Sequence, residues 1–254
     1  MSLRLALALC LTALPALAHD VVILGEVHDN PAHHAEQAAR VSALQPRALV
    51  FEMLMPEQAA LVTPDLIADA DAMEKALGWA ESGWPDFAMY HPIFAAAPEA
   101  AIYGAQIPRE AVRAVLEDGP AETFGEGAAA YGLTDPLPPE KQAAREALQL
   151  AAHCDALPKG MLPGMVAVQR LRDAALARAT VAAMAETGGP VAVITGNGHA
   201  RRDWGVPAYL AHVAPDLDVF VLGQTEDGAP LQGGFDEVLS APAAERPDPC
   251  AAFR

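Results

Sequence analysis

The chain is predicted to be an α/β protein with a parallel central sheet, flanking helices and a helical insertion. Three observations predict this. Short apolar runs at residues 21–24, 48–51 and 191–195 have the length and the branched side chains of strands buried on both faces. Helix-start signals or helical periodicity follow them. Strand and helix also alternate through both ends of the chain, which is the pattern of βαβ units with helices on both faces of a sheet.

Taken in order, Val21-Val22-Ile23-Leu24 is the first strand, and Gly25 breaks it. Glu26 and His28 follow, and Asn30 with Pro31 gives a cap and a first-turn proline for a helix over 31–44. The second strand, 48–51, runs directly into Glu52. Pro56 opens a short helix. Leu66, Ile67, Met73 and Leu77 lie near a helical period within a helix over 64–79. Ser82-Gly83-Trp84-Pro85 is a turn into a helix bent or ended by Pro92. Residues 101–105 form a weak third strand, followed by Gln106, Pro108 and Arg109, with a helix from Pro108 to about 117.

Residues 118–163 change character, being rich in Gly, Pro, Glu and Ala, with turns at Asp118-Gly119-Pro120 and Asp135-Pro136. They read as a helical insertion or lid containing one helix over 138–152. A long helix over 164–186 ends at Gly188-Gly189-Pro190. The fourth strand, 191–195, leads into Gly196-Asn197-Gly198-His199. A short helix over 207–213 and a strand over 219–222 follow. From Gln224 onward the tail is turn-rich and is expected to wrap the surface.

The first eighteen residues read as a secretory signal peptide: Arg4, an apolar run, then Ala16-Leu17-Ala18 as a cleavage site. Leu9 before Cys10 is too bulky for lipoprotein processing. Residues 19–254 are then a single exported domain, periplasmic or secreted. Cys154 and Cys250 remain after cleavage, and in an oxidising compartment one disulfide between them is the simplest pairing. The net charge of −17 argues against nucleic acid or anionic lipid as a partner. Local cationic spots remain at Arg109 and Arg113, and at Arg170 and Arg172.

In an open parallel sheet, ligands sit beyond the carboxyl ends of the strands. Glu26 and His28, Glu52, the Gln106 to Arg109 segment and His199 all follow predicted strands, so the topology sends them to one edge. Two imidazoles and two carboxylates are a donor set for a divalent metal, with one carboxylate left as general base. Without a metal, a His and Glu pair would serve acid–base chemistry on an ester. Binding alone is a third use, with His and Arg meeting a carboxylated or iron-containing ligand, and strand-capping in a scaffold a fourth. His33 and His34 are expected on the surface of the first helix. No Gly-x-Ser-x-Gly and no Cys-x-x-Cys-His occurs, which removes that class of serine hydrolase and covalent c-type haem attachment.

Leu24-Gly25-Glu26-Val27-His28, Phe51-Glu52-Met53, Tyr90-His91-Pro92, Ile107-Pro108-Arg109 and Gly196-Asn197-Gly198-His199-Ala200-Arg201 together resemble the ChaN family of bacterial haem-binding uptake proteins. Gln169, Arg172 and Asp173, and Gly205-Val206-Pro207, fit the same pattern. The resemblance covers nearly all of residues 19–254. It implies a parallel-sheet α/β fold, export, and haem held at a homodimer interface with tyrosine on the iron. It also implies a role in iron acquisition alongside an outer-membrane haem receptor. The related Tiki and erythromycin esterase branches imply a metal-dependent hydrolase as the alternative, built on Glu26, His28, Glu52 and His199. A phenolate is a hard donor suited to ferric iron. Tyr131, between Ala130 and Gly132 in the polar insertion, is the first candidate and Tyr90 the second, with His28, Arg109 and His199 assisting.

Overall fold

The computed structural model describes residues 19–248, 250 and 251. The expected signal peptide lies outside these residues. Strand β1 (Val21–Glu26) leads to helix α1 (Pro31–Leu44) and β2 (Ala48–Phe51). Helices α2 (Pro56–Ala59), α3 (Pro64–Ile67), α4 (Ala70–Leu77) and α5 (Phe87–Ala96) precede β3 (Ala101–Gly104). Helices α6 (Arg109–Phe124), α7 (Pro139–Ala152) and α8 (Leu162–Thr187) then lead to β4 (Val191–Gly196). The chain closes with α9 (Asn197–Ala200), α10 (Val206–Val213), β5 (Val219–Glu226) and β6 (Glu237–Ala241).

The sheet runs β3-β2-β4-β1-β5-β6 and every described pairing is parallel. Alternation along each strand feeds two cores. Val21, Ile23, Val50, Val191 and Val193 pack against α6, α8 and α10, whereas Val22, Leu24, Leu49, Phe51 and Ile194 pack against α1, α4 and α5. Strands buried on both faces must be apolar throughout, which is why the short unbroken runs were readable. Between residues 118 and 163 the chain forms the end of α6 and all of α7, adds no strand, and packs on α8.

Four details depart from the reading of the sequence. Residues 64–79 do not make one helix: Asp69 accepts from the Ala72 amide and starts α4 afresh after α3. Pro92 sits inside α5, which continues to Ala96. The tail does more than wrap the surface, because β6 extends the sheet beside β5. His33 and His34 are each 1% exposed rather than on the surface. Cys154 and Cys250 are disulfide-bonded, as the pairing argument expected. Among the described residues no helix is long and apolar enough to cross a membrane.

Candidate functional site

Register explains how the site assembles. Glu26 lies opposite Gly196, and Phe51 opposite Ile194, so the residue after β2 reaches the end of β4. Glu52 uses this position fully: its Oε2 accepts from the Thr195 hydroxyl at 2.6 Å and the Gly196 amide at 2.8 Å. Its Oε1 faces His199 Nε2 at 3.4 Å and His28 Nε2 at 4.0 Å. His199 passes its other nitrogen to Asp173 Oδ1 at 2.6 Å, and His28 passes its own to Glu26 Oε1 at 2.7 Å. The Tyr90 hydroxyl donates to the same Glu26 oxygen at 3.0 Å. The result is a row of alternating carboxylates and imidazoles, Asp173–His199–Glu52–His28–Glu26, along the carboxyl edge of three adjacent strands.

Backbone and glycine choices hold the row in place. A Cβ on Gly196 would lie 2.8 Å from His28 Nε2, so only glycine lets the imidazole rest on the end of β4. His33 accepts from the Val27 amide through Nδ1 and donates from Nε2 to the Thr225 carbonyl. His34 donates from Nε2 to the His28 carbonyl at 2.8 Å. These two histidines therefore fasten the first corner from beneath, which accounts for their burial. Trp84 lies with its ring centroid 5.0 Å from that of His28 and shields its outer side.

The charges follow from this geometry. Burial alone pushes Glu52 up, but the His199 and His28 charges, with the Thr195 and Gly196 hydrogen bonds, outweigh it and hold the carboxyl at about 2. Burial pulls His28 down, yet the Glu26 hydrogen bond and the nearby Glu52 and Asp29 charges raise it to about 9. Burial likewise opposes a charge on His199, and the flanking Glu52 and Asp173 reverse the direction and raise it.

A pH dependence follows. Glu52, depressed from 4.5, contributes stability that is present above 4.5 and lost as pH falls toward 2. His28, raised from 6.5, contributes stability that is complete below 6.5 and lost as pH rises through 9. The melting temperature is expected to peak between these windows, and His28→Asn is expected to flatten the alkaline limb. An unchanged alkaline limb in His28→Asn would place its origin elsewhere.

The structure thus brings Glu26, His28, Glu52 and His199 together, and adds Asp173 and Trp84, which the reading of the sequence had not placed in the site. The divalent-metal centre expected of the four is not formed. Among the described residues no group of three or more His, Cys, Asp or Glu side chains is arranged to hold a metal ion. In the row Glu26 sits on the Nδ1 side of His28, away from its Nε2, and Glu52 Oε2 is held by Thr195 and Gly196, so the four side chains do not turn their donor atoms to one point. The chamber beside Glu52, lined also by Trp84, Gln106 and Arg172, measures about 40 Å³. Pockets that enclose an organic ligand run to ~300–1,000 Å³.

The remaining candidates lie apart from this row or are engaged in it. Arg109 opens α6 in an exposed position with no hydrogen bond or ion pair to a described residue. Tyr90 is fully buried, and burial together with Glu26 drives its phenol pKa upward, so its oxygen is a committed donor. Tyr103 donates to Glu186 at 2.6 Å, and Tyr209 lines a cavity together with Arg145, with burial raising its phenol pKa. Tyr131 is different. It is 8% exposed, packs its ring on Phe124, and among the described residues its hydroxyl has no hydrogen-bond partner. Burial raises its pKa, with Arg178 acting in the opposite direction. It lines a cavity of about 140 Å³ with Lys141, Arg145, Arg170, Tyr209 and His212. Gly132 beside it takes φ +65°, a turn conformation, and faces the His212 ring rather than open space. A wider cleft of about 450 Å³ lies between the end of β3 and α8 and contains none of the four strand-end residues.

The family model that matches the chain puts it in the Tiki superfamily, and the open parallel sheet is the frame that carries its two glycine–histidine corners. Within it, the chain belongs to the family of ChaN haem-binding uptake proteins, whose model matches residues 14–210. The fold is similar to that of ChaN of Campylobacter jejuni, a structure of cofacial haem binding, at a TM-score of 0.64 and 18% identity over 84% of each chain. The type III effector HopBA1 gives a TM-score of 0.45 at 13% identity, covering 89% of this chain and 88% of its own. A Bacillus cereus protein gives 0.39 at 11% identity, covering 82% of this chain and 66% of its own. No curated protein matches the chain.

Proposed function

We infer that this is an exported haem-binding protein that works in haem or iron uptake, as a homodimer in which Tyr131 ligates the iron. Membership of a haem-binding uptake family supports the ligand class. The observation that carries the choice of residue is the Tyr131 hydroxyl. Tyr90 and Tyr103 spend their hydroxyls on Glu26 and Glu186, Tyr209 lies beside the Arg145 guanidinium, and Tyr131 has no such call on it among the described residues. Ferric iron supplies the charge that offsets burial and favours the phenolate.

The dimer is carried over from the family resemblance, and a cavity of about 140 Å³, which would cover only part of a macrocycle, is compatible with a second copy enclosing the rest. In this reading His28 and His199 organise the sheet edge rather than touch iron. The site of action is the periplasm or the medium, with an outer-membrane haem receptor downstream.

Hemin titration tests the reading. The wild-type protein should give a saturable Soret shift and the charge-transfer band of phenolate-bound ferric haem, with the mass in solution doubling. Tyr131→Phe should lose the band and weaken binding by about tenfold or more, the scale of one lost strong interaction. Hemin binding with the same spectrum in Tyr131→Phe would remove Tyr131 from the role.

A further inference from the structure

Two arginines are buried where the protein gives them too few acceptors. Arg145 on α7 is 8% exposed, and its Nε and Nη1 have no hydrogen-bond partner. Its guanidinium lies 5.2 Å from the centre of the Trp204 ring and lines the same cavity as Tyr209, but no described carboxylate is within ion-pair distance. Arg170 on α8 is 9% exposed; its Nη2 donates to the Gly132 and Asp135 carbonyls, and its Nε is unpaired. Both line the Tyr131 cavity, with Lys141 at its exposed edge.

Burying a guanidinium without a carboxylate is costly, and a chain of net charge −17 has acids to spare. The acid that does line the cavity, Asp203, is already held bidentately by Arg201 at 2.6 and 2.7 Å. Cationic donors are thus gathered in one cavity, and the acid whose charge Arg145 feels, Asp173, is hydrogen-bonded to His199 rather than to it. The planar fork of arginine matches a carboxylate better than it matches a spherical anion.

We propose that Arg145 and Arg170 bind a carboxylate in the Tyr131 cavity, either a propionate of haem or a free dicarboxylic acid. In its first form the proposal rests on the haem reading above; in its second it stands alone.

The test compares hemin, hemin dimethyl ester and succinate on the wild-type protein and on Arg145→Gln, following haem absorbance and tryptophan fluorescence. If haem is the source, hemin binds about tenfold tighter than its ester, and the gap closes in Arg145→Gln. If a free acid is the source, hemin and ester bind alike, and succinate quenches fluorescence saturably in the wild type but not in the variant. Equal binding of hemin and ester with no response to succinate overturns the proposal while leaving the haem reading intact. If no haem species binds, the haem reading falls, and the succinate arm alone decides this one. The ester comparison needs no variant, so the proposal stays testable should Arg145→Gln fail to fold; Arg170→Gln provides the second substitution.

Discussion

Replacing Glu52 by alanine is expected to cost about 3–5 kcal/mol of stability, the range for removing one partner of a buried charged cluster. The carboxylate joins three strand ends. Its loss strips the Thr195 hydroxyl and the Gly196 amide of their acceptor and leaves the facing nitrogens of His28 and His199 with no shared counter-charge. Glu52→Gln keeps an oxygen for Thr195 and Gly196 and removes only the charge, so it should cost less. In that variant His28 is expected to titrate below its present value of about 9. Denaturant unfolding measures the first effect and NMR titration of the imidazoles the second. Equal, small losses in both variants would mean that the row does not support the fold.

The second large effect is expected from Cys250→Ser. The Cys154–Cys250 bond spans 96 residues of sequence. For a loop of that length the chain-entropy model gives about 4–5 kcal/mol, an upper bound because denatured chains retain some order. Reduction of the wild type should reproduce most of that loss. A second fastening holds the tail nearby and can keep it in place when the disulfide is lost, since Arg246 binds both Glu226 oxygens and Asp29, and the Asn30 amide donates to the Pro242 carbonyl. Combining Cys250→Ser with Arg246→Ala should therefore cost more than the sum of the two alone. Strict additivity in denaturant unfolding would show that the two fastenings act independently.

How much was legible in the residues differed by element. The two glycine–histidine corners could be read because an unbroken apolar run, a glycine and a polar group mark a buried strand end. Parallel topology then fixed which edge they share. Asp173 fitted the family pattern, but an acid in mid-helix cannot be tied to His199 until α8 is known to lie against α9. The histidines of α1 looked exposed since helix starts usually are, but β5 covers this one. Strand β6 escaped notice because it is an edge strand of mixed polar and apolar residues, partly exposed along its length. Arg145 resembled any surface cation on an amphipathic helix. Only the packing of α7 against α8 and the ring of Trp204 reveal its burial.

The cross-link also has a topological result. It closes residues 154–250 into a covalent ring that encloses Asp173 and His199, while Glu52, His28 and Glu26 lie on the open segment before it. The row of charges is therefore the seam between these two parts of one polypeptide. Amide exchange should follow that division, with α1 and the Val27–Asp29 turn opening to solvent before α8 and β4 do.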